Sequence, residues 1–154
     1  MPAEKRFDEA AIRAFCTCEG LAFYDTATEV RRLKDNASDA FLEVVTPTDI
    51  PALLSQIPYC HTLVTTGEKA SGIVAATFGC AVPPVGGSIE LPLSGLNGMP
   101  PYATALPLAG DWSCHFDQAK RVEESLRFWR MPSTSRAYPL PLEKKTAAYR
   151  QLFD

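Results

Sequence analysis

The chain has 154 residues, of which 46% are hydrophobic and 21% are charged. This length and composition are typical of one folded domain, so we expect a single domain over residues 1–154 and exclude a wholly disordered chain. No apolar run is long enough for a membrane helix, and no apolar segment follows the N-terminus, so we expect no membrane partner, no signal peptide and a cytoplasmic location.

Charge is distributed unevenly along the chain. The net charge is −3, but residues 120–154 contain eight basic and four acidic residues and carry +4. The preceding residues contain seven basic and fourteen acidic residues and carry −7. A basic C-terminal part joined to an acidic remainder favours a negatively charged partner, although a solvent-exposed helix face explains the same charges.

Five cysteines and two histidines are the first candidates for disulfides, metal ligands or a nucleophile. The cysteine count is odd, and the pair Cys16 and Cys18 has no second pair nearby, so we expect neither a disulfide framework nor a metal site. Cys60 and His61 are adjacent, and adjacent strand residues point to opposite faces, so they do not predict a catalytic pair. The sequence contains no P-loop and no dinucleotide-binding glycine pattern, and we expect no cofactor.

In chain order, the first predicted elements are a helix, a strand and a second helix. Residues 7–18 are expected to form a helix that is capped by Asp8 and ends near Gly20. The apolar residues 21–24 are expected to form a strand that is buried on both faces. Residues 26–39 are polar and mixed in character, with Arg31, Arg32 and Lys34 close together. A second helix is expected to begin at a Thr46 cap, with Pro47 in its first turn, and to extend to about residue 57.

The later elements complete an α/β pattern. A strand over residues 61–65 and a helix over residues 68–78 continue the βαβ order of a parallel sheet with helices on its faces. Residues 82–120 are rich in proline and glycine, and we interpret them as an insertion with short strands at 88–93 and 102–106. A strand over residues 126–131 and a helix over residues 140–153 follow.

Polar segments follow three of the predicted strands: Tyr24-Asp25, Thr65-Thr66-Gly67 and residues 131–136. Ligands of open parallel sheets bind at the carboxyl ends of the strands, so we expect these segments to meet at one rim. Helix N-termini there favour phosphate or another anion, and Lys69 and Arg136 add positive charge. Taken singly, each loop is explained by ordinary capping residues.

The C-terminal stretch resembles a known family. Residues 130–137, RMPSTSRA, and 142–150, LEKKTAAYR, are similar to the C-terminal motif of the uracil-DNA glycosylase superfamily. The likeness is to the branch that includes mismatch-specific thymine and uracil glycosylases and hypoxanthine glycosylases. Residues 21–26 resemble that family's second strand, and residues 63–70 resemble its strand-to-helix step that meets DNA phosphate.

The resemblance implies a three-layer α/β/α fold with a mostly parallel central sheet. It implies base-excision repair, in which the N-glycosidic bond of uracil, hypoxanthine or a mismatched base is hydrolysed after the base is flipped out of DNA. Asp25 would then read the edge of the base, and Tyr24 would support it by stacking. DNA contacts are implied for Thr66, Gly67 and Lys69 in one loop and for Ser133, Thr134, Ser135 and Arg136 in another.

The sequence departs from the family at its start. The family's first motif follows a glycine-containing strand and carries the residue that positions water, and no counterpart precedes Phe7. The catalytic residue is therefore unassigned, and the chain is expected to be a truncated or rebuilt relative or to begin further upstream. Two other hypotheses remain open: a non-catalytic DNA- or nucleotide-binding module, and a structural remnant whose sheet another chain or a second copy completes or covers.

Overall fold

The computed structural model describes residues 7–34, 41–57, 60–92 and 125–153, and in these ranges the chain is a mixed α/β protein. The elements in chain order are α1 (Glu9–Cys18), β1 (Ala27–Arg32), β2 (Leu42–Pro47), α2 (Ile50–Ser55), β3 (Thr62–Thr65), α3 (Glu68–Phe78), β4 (Gly87–Pro92), β5 (Ser125–Arg130) and α4 (Leu142–Arg150). The described strands form an antiparallel β1–β2 pair and a three-stranded sheet in the order β3-β5-β4. None of the described helices has the length and apolar character needed to cross a membrane.

Strand β5 is the centre of the larger sheet. It runs parallel to β3, with Thr65 opposite Arg130, and antiparallel to β4. Alternation along β5 buries Leu126 and Phe128 and leaves Arg127 exposed. The strand predicted from this aromatic, alternating segment is confirmed. β4 lies within the segment interpreted as an insertion and forms an edge of the sheet, whereas the strand predicted at 102–106 lies outside the described residues.

The core forms where α2 and α3 meet the larger sheet. Its buried members share large aliphatic or aromatic side chains and are Ile50, Leu54, Val74, Leu91, Leu126 and Phe128. Burial of this apolar surface is the main favourable contribution to folding, at roughly 25 cal/mol per Å² removed from water. The core therefore joins these two helices to β4 and β5.

Two of the predicted helices have the expected boundaries. α1 begins after Asp8, whose carboxylate accepts the Ala11 N–H at 2.9 Å. α3 covers the predicted residues 68–78 and ends at Gly79, whose φ of +64° is the left-handed conformation that glycine adopts most readily. The local capping and termination signals were therefore sufficient to predict the boundaries of both helices.

The strand predicted at residues 21–24 is wrong. These residues have no regular secondary structure, and the Phe23 and Tyr24 side chains are 82% and 66% exposed. A short apolar run becomes a buried strand only where other elements cover both faces. Here the chain turns instead into β1, and the carbonyl of Thr26 accepts the Thr48 N–H at 3.0 Å.

The antiparallel pair β1–β2 was not predicted. Polar side chains dominate its cross-strand contacts, such as Arg31 with Glu43 at 3.4 Å and the Thr46 hydroxyl with Glu29 at 3.1 Å. This pair also moves the start of the next helix, because Thr46 belongs to β2. The N-cap of α2 is Asp49, which accepts the Ala52 N–H at 3.0 Å.

Candidate functional site

Two of the three loops expected at a common rim lie side by side. β3 and β5 are parallel neighbours, so their carboxyl ends are at the same edge of the sheet. The Met131 N–H donates to the Thr65 carbonyl at 2.8 Å, and the chain then leaves the sheet on both strands. We name residues 66–67 and 132–136 the rim. It contains the predicted site residues Thr66, Gly67, Ser133, Thr134, Ser135 and Arg136.

The first rim loop leads into α3 without a side-chain cap. Gly67 is the N-cap residue, its backbone is extended, and it makes no capping hydrogen bond through a side chain. α1 and α2, by contrast, are each capped by an aspartate. The main-chain N–H groups of the first turn of α3 therefore favour an anion at the rim. The exposed carboxylate of Glu68 in the same turn opposes that anion.

Buried hydroxyl groups fix the step from β3 into α3. The Thr65 Oγ1 and Ser71 Oγ atoms lie 2.7 Å apart, and the Ser71 hydroxyl donates to the Gly67 carbonyl at 2.7 Å. The Thr65 hydroxyl also lies 3.2 Å from the Trp129 carbonyl oxygen of β5, so its one hydrogen is shared between that oxygen and Ser71. These bonds join both strands and the helix beneath the first rim loop. Ser71, which is fully buried, was missed because a serine within an apolar helix carries no distinct sequence signal.

Helix α4 anchors the second rim loop. The Lys145 ammonium donates to the Ser135 carbonyl at 2.7 Å, and the Tyr149 hydroxyl donates to the Pro132 carbonyl at 2.8 Å. Lys145 and Tyr149 are four residues apart and therefore project from the same side of α4. Neither residue was predicted as part of the site, because this spacing places them on one side of α4 without indicating what that side contacts.

The second rim loop also contains its own hydrogen bonds. The Ser135 N–H donates to the Ser133 hydroxyl, and the Ala137 N–H donates to the Ser135 hydroxyl, both at 3.2 Å. Ser133 is half-buried, whereas Thr134 and Arg136 are exposed. Hydroxyl and guanidinium groups on a fixed loop are the donors that proteins commonly present to phosphate oxygens.

Lys69 has a contact that the sequence did not predict. Its ammonium donates to the carbonyl of Leu42, so it connects the first turn of α3 with β2. An ammonium group has three N–H donors, so this bond leaves further donors on Lys69 for a second acceptor. Lys69 therefore links the smaller sheet to the helix that begins at the rim.

The third predicted segment, Tyr24-Asp25, is not joined to the rim. The Asp25 carbonyl accepts the Thr48 hydroxyl at 2.7 Å, just before α2 begins. Both predicted base-recognition side chains are exposed. Among the described residues, no hydrogen bond or ion pair connects either of them with residues 66–67 or 132–136. The structure thus brings together two of the three predicted segments.

Cys60 and Cys80 are poor candidates for a reactive centre. Burial raises the pKa of the Cys60 thiol, and desolvation likewise raises the pKa of Cys80. Both thiols are therefore protonated at neutral pH, which makes them poor nucleophiles. No group of three or more metal-ligating side chains occurs in the part of the chain that the structure describes.

The rim is the best-supported site because two loops from distant parts of the sequence meet there. It combines the uncapped N-terminus of α3 with hydroxyl groups and with Arg136. These groups favour a phosphate-bearing ligand. Comparisons with protein-family models, with curated proteins and with solved structures find no match for this chain.

Proposed function

We propose that this protein is a DNA glycosylase related to the uracil-DNA glycosylase superfamily, and that its rim binds DNA phosphates beside a flipped-out base. The observation that supports this is the contact between the two rim loops at the ends of β3 and β5. These loops belong to residues 63–70 and 130–137, which resemble the family's DNA-contacting motifs. We further propose a three-layer α/β/α fold in which β3 and β5 belong to a mostly parallel sheet.

The rim offers groups suited to a DNA backbone. Gly67 and the small hydroxyl residues at 133–135 allow a phosphate to approach the main chain closely. Arg136 is exposed and supplies positive charge, which contributes affinity that decreases with salt. Asp25 would accept hydrogen bonds from the edge of the base, and the exposed ring of Tyr24 would stack on it.

The proposed reaction is a hydrolysis. Water adds to C1′ of the deoxyribose, and the C1′–N bond to the base breaks. The base leaves with the bonding electrons and takes up a proton, so that the products are the free base and an abasic site. Uracil, hypoxanthine and a mismatched thymine are the proposed targets, because the resembling branch acts on deaminated or mismatched bases.

Base release is tested with labelled duplexes that carry one uracil, one hypoxanthine or one G:T mismatch. After incubation with the protein, alkali cleaves each strand wherever a base has been lost. We expect cleavage at the altered position of at least one duplex and none in an unmodified duplex of the same sequence. Intact strands from all three altered duplexes, under conditions where the protein binds them, would exclude glycosylase activity.

Binding is tested by fluorescence anisotropy over a range of salt concentrations. We expect Arg136→Ala to weaken binding and to reduce the slope of log affinity against log salt by about 1. Arg13→Ala is the matched control, because Arg13 is an equally exposed arginine that pairs with Glu9 on α1. Equal effects of the two substitutions would contradict a specific role of the rim.

A second candidate function is DNA binding without base release. It is favoured by the separation of Asp25 from the rim among the described contacts. This function predicts salt-dependent binding that Arg136→Ala weakens, together with intact strands after alkali treatment. A self-associating relative, in which a second copy completes or covers the sheet, is the remaining alternative, and a monomeric mass in sedimentation would exclude it.

A further inference from the structure

Lys145 is a buried lysine that pairs with no carboxylate in the part of the chain that the structure describes. Its residue exposure is only 9%, and the ion pairs between described residues all involve other side chains. Its ammonium donates to the Ser135 carbonyl and lies 5.5 Å from the centre of the Tyr138 ring. Removing an ammonium from water without an opposite charge costs free energy, and a nearby anion offsets that cost.

The position of Lys145 indicates where such an anion would bind. The ammonium holds the carbonyl of Ser135 from the α4 side of the second rim loop, while Thr134 and Arg136 are exposed on that loop. The buried charge and the exposed donors therefore belong to the same short segment. An anion bound to the exposed donors would interact with the Lys145 charge through a region from which water is partly excluded, where Coulomb attraction is stronger than in water.

We propose that Lys145 is a positioning residue of a phosphate site on the second rim loop. It fixes the loop through the Ser135 carbonyl and attracts a phosphate that Ser133, Thr134 and Arg136 contact directly. This inference rests on the proposed function, because the physiological phosphate is taken to be that of DNA. The site itself would also bind inorganic phosphate.

The test compares three substitutions on α4. Lys145→Met removes the buried charge and keeps an apolar side chain of similar length. Lys144→Met removes the same charge from the exposed neighbouring position. Tyr149→Phe removes the other anchor of the loop, the bond to Pro132, without changing the charge.

Two quantities are measured for each variant. The first is the rise in melting temperature with inorganic phosphate at constant ionic strength, with chloride as the comparison anion. The second is the salt slope for binding of an unmodified duplex. We expect Lys145→Met to reduce phosphate affinity about tenfold and the salt slope by about 1, and Lys144→Met to stay within about twofold of the wild type in phosphate affinity. Tyr149→Phe should weaken phosphate binding less than Lys145→Met does and should leave the salt slope unchanged, because it loosens the loop without removing a charge.

A Lys145→Met protein with the phosphate affinity and salt slope of the Lys144→Met protein would overturn the proposal. If Lys145→Met does not fold, Lys145→Arg and Lys145→Gln are compared instead. Only Lys145→Arg, which keeps the charge, should retain phosphate binding. Equal binding by those two would likewise overturn it. Phosphate binding that depends on Lys145 in a protein that does not bind DNA would retain the site and reject DNA as its partner. DNA binding that does not depend on Lys145 would retain DNA as the partner and reject the phosphate site at Lys145.

Discussion

The segment that contains β5 and α4 and the segment that contains α1 are held in different ways. Phe128 of β5 is fully buried, and α4 is tied to the rim by Lys145 and Tyr149. α1 has no buried residue, and Ile12 and Phe15 on its apolar stripe stay about half exposed. Both segments have clear apolar patterns in the sequence. An apolar pattern thus identifies the apolar face of an element but not what covers that face.

The strongest contrast in stability is expected between substitutions of two phenylalanines. Phe128→Ala should reduce the free energy of unfolding by about 3–5 kcal/mol, because it leaves a cavity in the centre of the core. Phe23→Ala should change it by less than about 0.5 kcal/mol, because the Phe23 side chain is mostly in solvent. Urea unfolding of both variants measures the contrast. Similar losses for the two substitutions would show that Phe23 is covered in solution.

The next contrast concerns helix caps. Asp49→Ala should cost about 1 kcal/mol of global stability, because α2 packs into the core through Ile50 and Leu54. Asp8→Ala removes an equivalent cap from α1, whose residues are not buried. It should lower the helix content without changing the midpoint of global unfolding. Circular dichroism and urea unfolding measure these two quantities, and an equal shift of the midpoint would contradict the separation of α1 from the core.

A smaller effect is expected where the two sheets are linked. Lys69→Met removes the bond to the Leu42 carbonyl and should accelerate amide hydrogen exchange in β2 relative to β5. The expected change in local opening free energy is below about 1 kcal/mol, because the bond is exposed. Lys144→Met serves as the control on a different helix. Unchanged exchange in β2 would show that Lys69 does not support the smaller sheet.

The smallest effect depends on pH. Burial raises the pKa of Tyr149, so the folded state keeps this proton at pH values where the unfolded chain has lost it. The associated stability is complete below the unfolded pKa of about 10 and is lost as the pH rises through the folded pKa. Tyr149→Phe should therefore show a smaller loss of melting temperature between neutral and strongly alkaline pH. An identical loss in wild type and variant would contradict this assignment.

Local sequence signals predicted the elements that have a packed face. α3 was predicted at its full length, because its apolar spacing ends at Gly79, and β5 was predicted from alternation around Phe128. β1 was missed because its residues are mostly polar, whereas β2 was missed although Leu42 and Val44 alternate with the exposed Glu43. The adjacency of the two rim loops followed from the expected parallel strands. Lys145 was missed because burial of a lysine depends on tertiary contacts that the spacing of charges along a helix does not encode.

The strand order β3-β5-β4 has a consequence for how the sheet forms. β3 and β4 are not paired with each other, and both take their hydrogen bonds from β5, which follows them in the chain. During synthesis from the N-terminus, pairing among the three described strands therefore cannot begin until residues 125–130 have left the ribosome. Until then both earlier strands lack the β5 partner that they have in the described sheet, and unpaired strand edges favour aggregation. Closure of such long loops before any pairing also slows folding, so a nascent chain of this protein depends on prompt completion of β5.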